Sequence, residues 1–230
     1  MFAGSIDVII PARNEAETLG PVVDASRGCR YVRDVIVVDD GSTDDTAEIA
    51  EAYGARVVRR EPHEGGSKAH AMEAGVEATD ADAFLFVDAD CIGLEAHHLD
   101  EICEPFVAGR AAMSLGWFDY GVWNPLVNRF PPTTGQRAIH RWVWDSIPPH
   151  KREGFTIEFM INEVIADSRV PTVSRTMKGV THRTKRDKFG PVRGWKHTIE
   201  MFWDVWTLPL KGHIRPGWYR HYLRGLSVER

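Results

Sequence analysis

The chain has 230 residues, 43% hydrophobic and 27% charged, a globular composition large enough for one sizeable core. It shows no apolar run near the ~20 residues that span a bilayer, no basic and apolar leader in Met1–Ser5, and three widely spaced cysteines that read as reduced thiols of a cytoplasmic protein. The net charge of −5 conceals a split: residues 1–104 hold 8 Lys and Arg against 23 Asp and Glu, while residues 105–230 hold 20 against 10.

The first half alternates strand and helix signals. Ile6-Asp7-Val8-Ile9-Ile10 is a β-branched run closed by Pro11, and residues 15–27 carry Leu19, Val22, Val23 and Ser26 at helical spacing. Val35–Val38 is a continuous apolar run, as in a strand buried on both faces. A helix over about 44–54 follows, then a strand at Arg56–Arg59, a helix over about 67–78 and a strand at Ala83–Val87. Such alternation predicts right-handed βαβ units and a parallel sheet.

The second half is less regular. Ala111–Trp117 reads as a strand, 124–135 as a loop, 136–147 as a helix, Phe155–Asp167 as a mostly buried helix, Val170–Arg175 as a strand and 189–207 as a helix. No repeat or linker interrupts the chain. The expectation is a single domain over 1–230, regular up to about residue 110 and less so from 111 onward.

In a parallel sheet the chemistry lies beyond the carboxyl ends of the strands. The polar residues there are Arg13-Asn14-Glu15, Asp39-Asp40-Gly41-Ser42, Glu64-Gly65-Gly66-Ser67-Lys68 and Asp88-Ala89-Asp90. In an extended chain Asp88 and Asp90 point the same way, and small Ala89 admits a close ligand. Two such carboxylates suit Mg²⁺ or Mn²⁺ carrying a diphosphate; the alternative is a carboxylate that caps the next segment. Ser42 or Thr43 reads as a helix N-cap, with Asp44 and Asp45 on the helix dipole. Asp40 lies outside that cap and suits the ring N–H of a uracil-like base. Glu15 suits a ribose hydroxyl or a first helical turn. Lys68 opposes the dipole of the helix it starts, which local stability does not explain but a diphosphate does. The phosphate-loop and dinucleotide-binding signatures are absent.

Ile9–Glu15, Val37–Asp44, Gly66-Ser67-Lys68-Ala69-His70-Ala71 and Phe86–Asp90 match, in order and spacing, the nucleotide-sugar half of GT-A glycosyltransferases, and the chain resembles family 2 of that group. The resemblance implies an α/β, Rossmann-like, mostly parallel sheet flanked by helices. It also implies a transferase using a nucleotide sugar, UDP by preference, with a nucleotide-sugar-binding half over 1–110 and an acceptor-binding half over 111–230. Pro11, Ala12, Arg13 and Glu15 then line the nucleoside pocket, and Asp40 contacts the base. Gly66 and Lys68 approach the diphosphate, Asp88 and Ala89 the donor, and Asp90 the metal.

Gly135-Gln136-Arg137-Ala138, Glu153–Glu158 and Gly179-Val180-Thr181-His182-Arg183 resemble glucosyl-3-phosphoglycerate synthases and polyprenyl-phosphate sugar transferases. This implies substrate binding by Gly135 and Gln136, a metal ligand in His182, and catalysis by Asp88, Asp90 and Glu158. Glu158 sits on an apolar helix with Asn162 one turn on, so it is either an internal ion pair with Arg137 or Arg141 or an acceptor-site carboxylate. His63, His70, His97 and His98 read as surface residues.

Residues 178–224 carry 11 Lys and Arg against 3 acidic residues. Trp195, Phe202, Trp203 and Trp206 form a helical stripe, and Trp218–Arg224 mixes aromatic and basic side chains. That end suits peripheral contact with anionic lipid or a second copy in a homodimer. The basic half as a whole suits an anionic small-molecule or lipid-phosphate acceptor, and the acidic first half argues against nucleic acid. Two other classes remain: a sugar-phosphate nucleotidyltransferase, against which Pro11–Glu15 speaks, and a non-catalytic nucleotide-sugar-binding subunit.

Overall fold

The computed structural model describes residues 2–61, 67–124, 134–182 and 217–229. The strands are β1 (Ile6–Ala12), β2 (Asp34–Asp39), β3 (Arg56–Arg59), β4 (Ala83–Phe86), β5 (Cys91–Ile92), β6 (Met113–Trp117), β7 (Arg137–His140), β8 (Thr172–Thr176), β9 (Thr181–His182) and β10 (Leu226–Glu229). The helices are α1 (Ala16–Gly28), α2 (Thr46–Ala52), α3 (Lys68–Glu77), α4 (Ala96–Val107), α5 (Arg141–Asp145), α6 (Ile157–Ser168) and α7 (Trp218–Gly225). Eight strands join both halves of the chain in one sheet, ordered β10-β8-β6-β7-β4-β1-β2-β3. All neighbours are parallel except β7, which runs against β4 and β6.

Strand alternation builds a core on each face. Ile6, Val8 and Ile10 pack with Leu19 and Val22 of α1 and Leu99, Ile102 and Phe106 of α4. Ile9, pointing the other way, packs with Met72 of α3, Phe84, Phe86 and the α6 side chains Ile157 and Ile161. Asp7 is the exception in this strand. It is fully buried and satisfied by Arg33 Nε at 3.0 Å, Arg33 Nη2 at 2.8 Å and the Thr79 hydroxyl.

Several expectations change. The helix expected over 136–147 is strand β7 followed by the five-residue α5, because Ala138 and Ile139 complete the sheet between β4 and β6. Asp45, not Ser42 or Thr43, is the N-cap of α2, and its side chain makes no capping bond. Ser42 Oγ instead accepts Asn14 N–H at 3.0 Å, and Thr43 N–H donates to Asn14 Oδ1 at 2.8 Å. His98 is not a surface residue: it is 4% exposed, its Nδ1 accepts Glu95 N–H at 3.1 Å, and its Nε2 lies 3.1 Å from Lys178 O.

The aromatic side of the last helix is also not a free surface. Trp218 and Tyr222 are buried and pack with Phe159 and the α6 face, leaving Arg220 and Arg224 outside. The stripe Trp195–Trp206, the helix expected over 189–207, most of the 124–135 loop, His63 and Gly66 lie outside the described residues. Among the described residues no helix is long and apolar enough to cross a membrane.

Candidate active site

Since β1, β2 and β4 are parallel neighbours, their carboxyl ends open on one edge. Ala12 pairs with Asp39, and Asp40 N–H continues the ladder to Ala12 O at 2.8 Å. Asn14, with φ of 55°, turns the chain into α1, and its bonds to Ser42 and Thr43 clamp the β1 and β2 loops together. Glu15 is 8% exposed at the start of α1, and its backbone N–H donates to Thr46 Oγ1 at 2.9 Å. Pro11, Ala12, Arg13 and Glu15 thus share one rim with Asp40.

Asp40 is 4% exposed and already engaged. Its Oδ1 pairs with Arg60, which follows β3, and its Oδ2 accepts Ser67 N–H at 3.0 Å. Ser67 caps α3 by accepting His70 N–H at 3.4 Å, which delivers the next residue, Lys68, to the strand edge.

Lys68 sits between two carboxylates, with Nζ 2.6 Å from Asp88 Oδ1 and 2.7 Å from Glu158 Oε1. Burial disfavours its charged form, but Asp88 and Glu158 outweigh that and hold the ammonium well above the ordinary lysine value. The reverse holds for Asp88. Burial pushes it up, yet Lys68 and Gln136 keep it below the usual carboxylate range. Glu158 Oε2 lies 4.0 Å from Nη2 of Arg137, a fully buried guanidinium whose Nη1 donates to Glu158 O and Asn162 Oδ1, each at 3.2 Å. The ion pair therefore involves Lys68 first and Arg137 second. Arg141 instead donates to Ala81 O and Thr79 O at 2.7 and 2.6 Å.

Gln136 departs from its expected place against substrate. It is fully buried, and Nε2 donates to Asp88 Oδ2 at 3.0 Å and to Cys91 Sγ at 3.2 Å. Burial, together with the Asp88 and Asp90 charges, lifts the Cys91 thiol well above its ordinary value and keeps it protonated. Gly135 lies directly against the Asp88 carboxylate.

Asp88 lies two residues past the end of β4, and Ala89-Asp90 form a turn, so the alternation of an extended chain does not relate the two aspartates. Asp90 instead leads into β5. There Cys91 pairs with His182 of β9, which brings the imidazole's residue opposite the one following Asp90. Among the described residues no three His, Cys, Asp or Glu side chains could hold an ion by themselves. A carboxylate in the turn just before β5 and an imidazole on β9 nonetheless fit a hard divalent cation, which takes few protein ligands and completes its shell with water and phosphate oxygens.

Arg60, beside Asp40, and Cys91, which accepts from Gln136, went unrecognised in the sequence. The one available signal was position: Arg60 follows β3 on the same strand edge as Asp40.

The family model described as "Glycosyl transferase family 2" matches residues 7–170. A 4,4'-diaponeurosporenoate glycosyltransferase of Staphylococcus aureus (strain bovine RF122 / ET3-1) is 42% identical over 89 residues, 37% of this chain and 24% of that protein. The match spans about a quarter of that relative's length. Among solved structures, glucosyl-3-phosphoglycerate synthase of Mycobacterium tuberculosis with Mn²⁺, UDP-glucose and phosphoglyceric acid superposes with a TM-score of 0.65 at 27% identity, covering 79% of this chain and 72% of that one. The same enzyme with Mn²⁺, UDP and glucosyl-3-phosphoglycerate gives a TM-score of 0.71 at 25% identity, covering 94% and 82%.

Proposed function

The chain belongs to glycosyl transferase family 2, and from that membership we propose that it is a glycosyltransferase moving a sugar from a UDP-sugar donor to an anionic or phosphate-bearing acceptor. The observation that carries this reading is the gathering of Glu15, Asp40, Lys68 and Asp88 on the carboxyl edge of β1, β2 and β4, with Glu158 closing over it. The similarity to a synthase crystallised with Mn²⁺, UDP-glucose and phosphoglyceric acid supports the donor and the acceptor class.

Pro11, Ala12, Arg13 and Glu15 line the nucleoside end, and Asp40 takes the ring N–H of the base. Gly66 and Lys68 serve the diphosphate, and Asp88 and Ala89 the sugar side of the donor. Asp90 and His182 hold Mg²⁺ or Mn²⁺, an ion that when bound stabilises charge on a leaving diphosphate as a Lewis acid. Glu158 holds Lys68 through Oε1 and takes the proton of an acceptor hydroxyl at Oε2. Asn162 and Arg137 fix that carboxylate's helix to β7. The surplus of Lys and Arg after residue 104 favours an anionic acceptor.

The reading is tested by a donor-hydrolysis screen across nucleotide sugars, with and without Mn²⁺. Release of UDP from one UDP-sugar, dependent on the cation, is expected. Pyrophosphate release from a nucleoside triphosphate, or binding without any turnover, would instead select the nucleotidyltransferase or the non-catalytic subunit.

A further inference from the structure

Gln136 has no surface to offer a substrate, being fully buried. A glutamine amide has two N–H donors and one carbonyl. Nε2 lies 3.0 Å from Asp88 Oδ2 and 3.2 Å from Cys91 Sγ, and Oε1 lies 2.6 Å from the Thr134 hydroxyl. A flipped amide would set Oε1 against the Asp88 carboxylate, so the orientation is fixed. Its backbone is equally committed, because Gln136 O accepts Gly116 N–H at 2.9 Å from β6.

The residue before it makes this reach possible. A Cβ on Gly135 would stand 2.1 Å from Asp88 Oδ1 and 2.3 Å from its Cγ, so the carboxylate rests on bare backbone. Asp88 is thus held at Oδ1 by Lys68, at Oδ2 by Gln136, and from below by Gly135. The second donation of Gln136 goes to Cys91, the residue after Asp90 and the ladder partner of His182. One amide therefore ties the β4 end to the strand pair that carries His182 and follows directly on Asp90.

We infer that Gln136 is a positioning residue, which sets the spacing between Asp88 and the β5–β9 pair and so fixes where the cation-bound diphosphate of the donor sits. The inference rests on the donor-site reading above. Residues that orient a metal site from behind typically change metal affinity or activity by about 10- to 100-fold when replaced.

The test is a calorimetric titration of the full chain with UDP, with and without Mn²⁺, for wild type, Gln136→Met and Thr134→Val, with thermal unfolding of each. Gln136→Met keeps the length and removes both donations. It is expected to weaken UDP binding in Mn²⁺ by about 10-fold or more while leaving metal-free UDP binding unchanged. Thr134→Val, which releases both the Gln136 carbonyl and Gly116 O, gives the same split at smaller size and serves if the methionine variant fails to fold. Folded variants with wild-type affinity in Mn²⁺, or an equal loss with and without Mn²⁺, overturn the inference. A wild-type chain that does not bind UDP in Mn²⁺ overturns the donor-site reading itself and this inference with it.

Discussion

Lys68 and Glu158, ninety residues apart in sequence, meet in a 2.7 Å ion pair at the carboxyl edge of the sheet. The same ammonium reaches Asp88 at 2.6 Å. Their residual exposures, 15% for Lys68, 22% for Asp88 and 6% for Glu158, make the cluster a largely desolvated one. Each charge there depends on the others.

Replacing Lys68 by methionine removes the cation and leaves two carboxylates together. Breaking a buried pair from one side costs about 3–5 kcal/mol, and urea unfolding should show a loss approaching that range. The pH dependence follows from Asp88, whose carboxyl is depressed by Lys68 despite burial. A depressed carboxyl contributes stability above the unfolded value of about 3.9 and loses it as pH falls through the folded value. Wild type should therefore lose stability below about pH 4 more steeply than Lys68→Met, whose Asp88 no longer has that cation.

Glu158→Gln separates two kinds of acceptor. A hydroxyl needs its proton removed, and loss of a general base typically costs about 10²–10⁴ in rate. Steady-state kinetics should show kcat falling by at least about 100-fold. Unchanged turnover would mean that an ionised phosphate is the nucleophile.

Gly75→Ala probes the seam between α3 and β1. A methyl there would stand 2.4 Å from Ile9 Cγ2, inside the core. Overpacking costs about 1–3 kcal/mol, and the gain in helix propensity returns about 1. Thermal unfolding should show a net loss of up to about 2 kcal/mol.

Asp119 binds the turn before β9 by accepting Gly179 N–H at 3.0 Å, Gly121 N–H at 2.8 Å and Asn124 Nδ2 at 2.9 Å. These bonds hold its carboxyl down to about 2. Its contribution to stability is complete above the unfolded value of about 3.9 and disappears as pH falls through the folded one. Carboxyl NMR should give a midpoint near 2, and Asp119→Asn should abolish the contribution. A midpoint near 4 would show that the turn is not fixed in this way.

The first four strands and the three helices between them were legible because Val8–Ile10, Val35–Val38, Val57-Val58 and Phe84–Val87 are apolar runs separated by segments of helical character. The placement of Glu15, Asp40 and Asp88 beyond those runs, with Lys68 at the start of α3, was therefore readable too. Strand β7 was not. The apolar residues Ala138, Ile139, Val143 and Trp144 have no spacing that marks a strand, and only pairing with β4 and β6 makes one of Arg137–His140. The partner of Lys68 was hidden for a related reason, since a contact across ninety residues leaves no spacing to read. Gln136 looked like a substrate contact because burial on the far side of Asp88 is a tertiary fact. The aromatic and basic mixture at Trp218–Arg224 suggested an interface, yet helical geometry turns Trp218 and Tyr222 inward onto α6.

The most direct test is anomalous scattering from crystals soaked with UDP and Mn²⁺. A manganese peak bound by Asp90 and His182, with the diphosphate beside Lys68 and the uracil at Asp40, is the predicted result. UDP bound away from the β1–β2–β4 edge, or manganese held by other side chains, would contradict it.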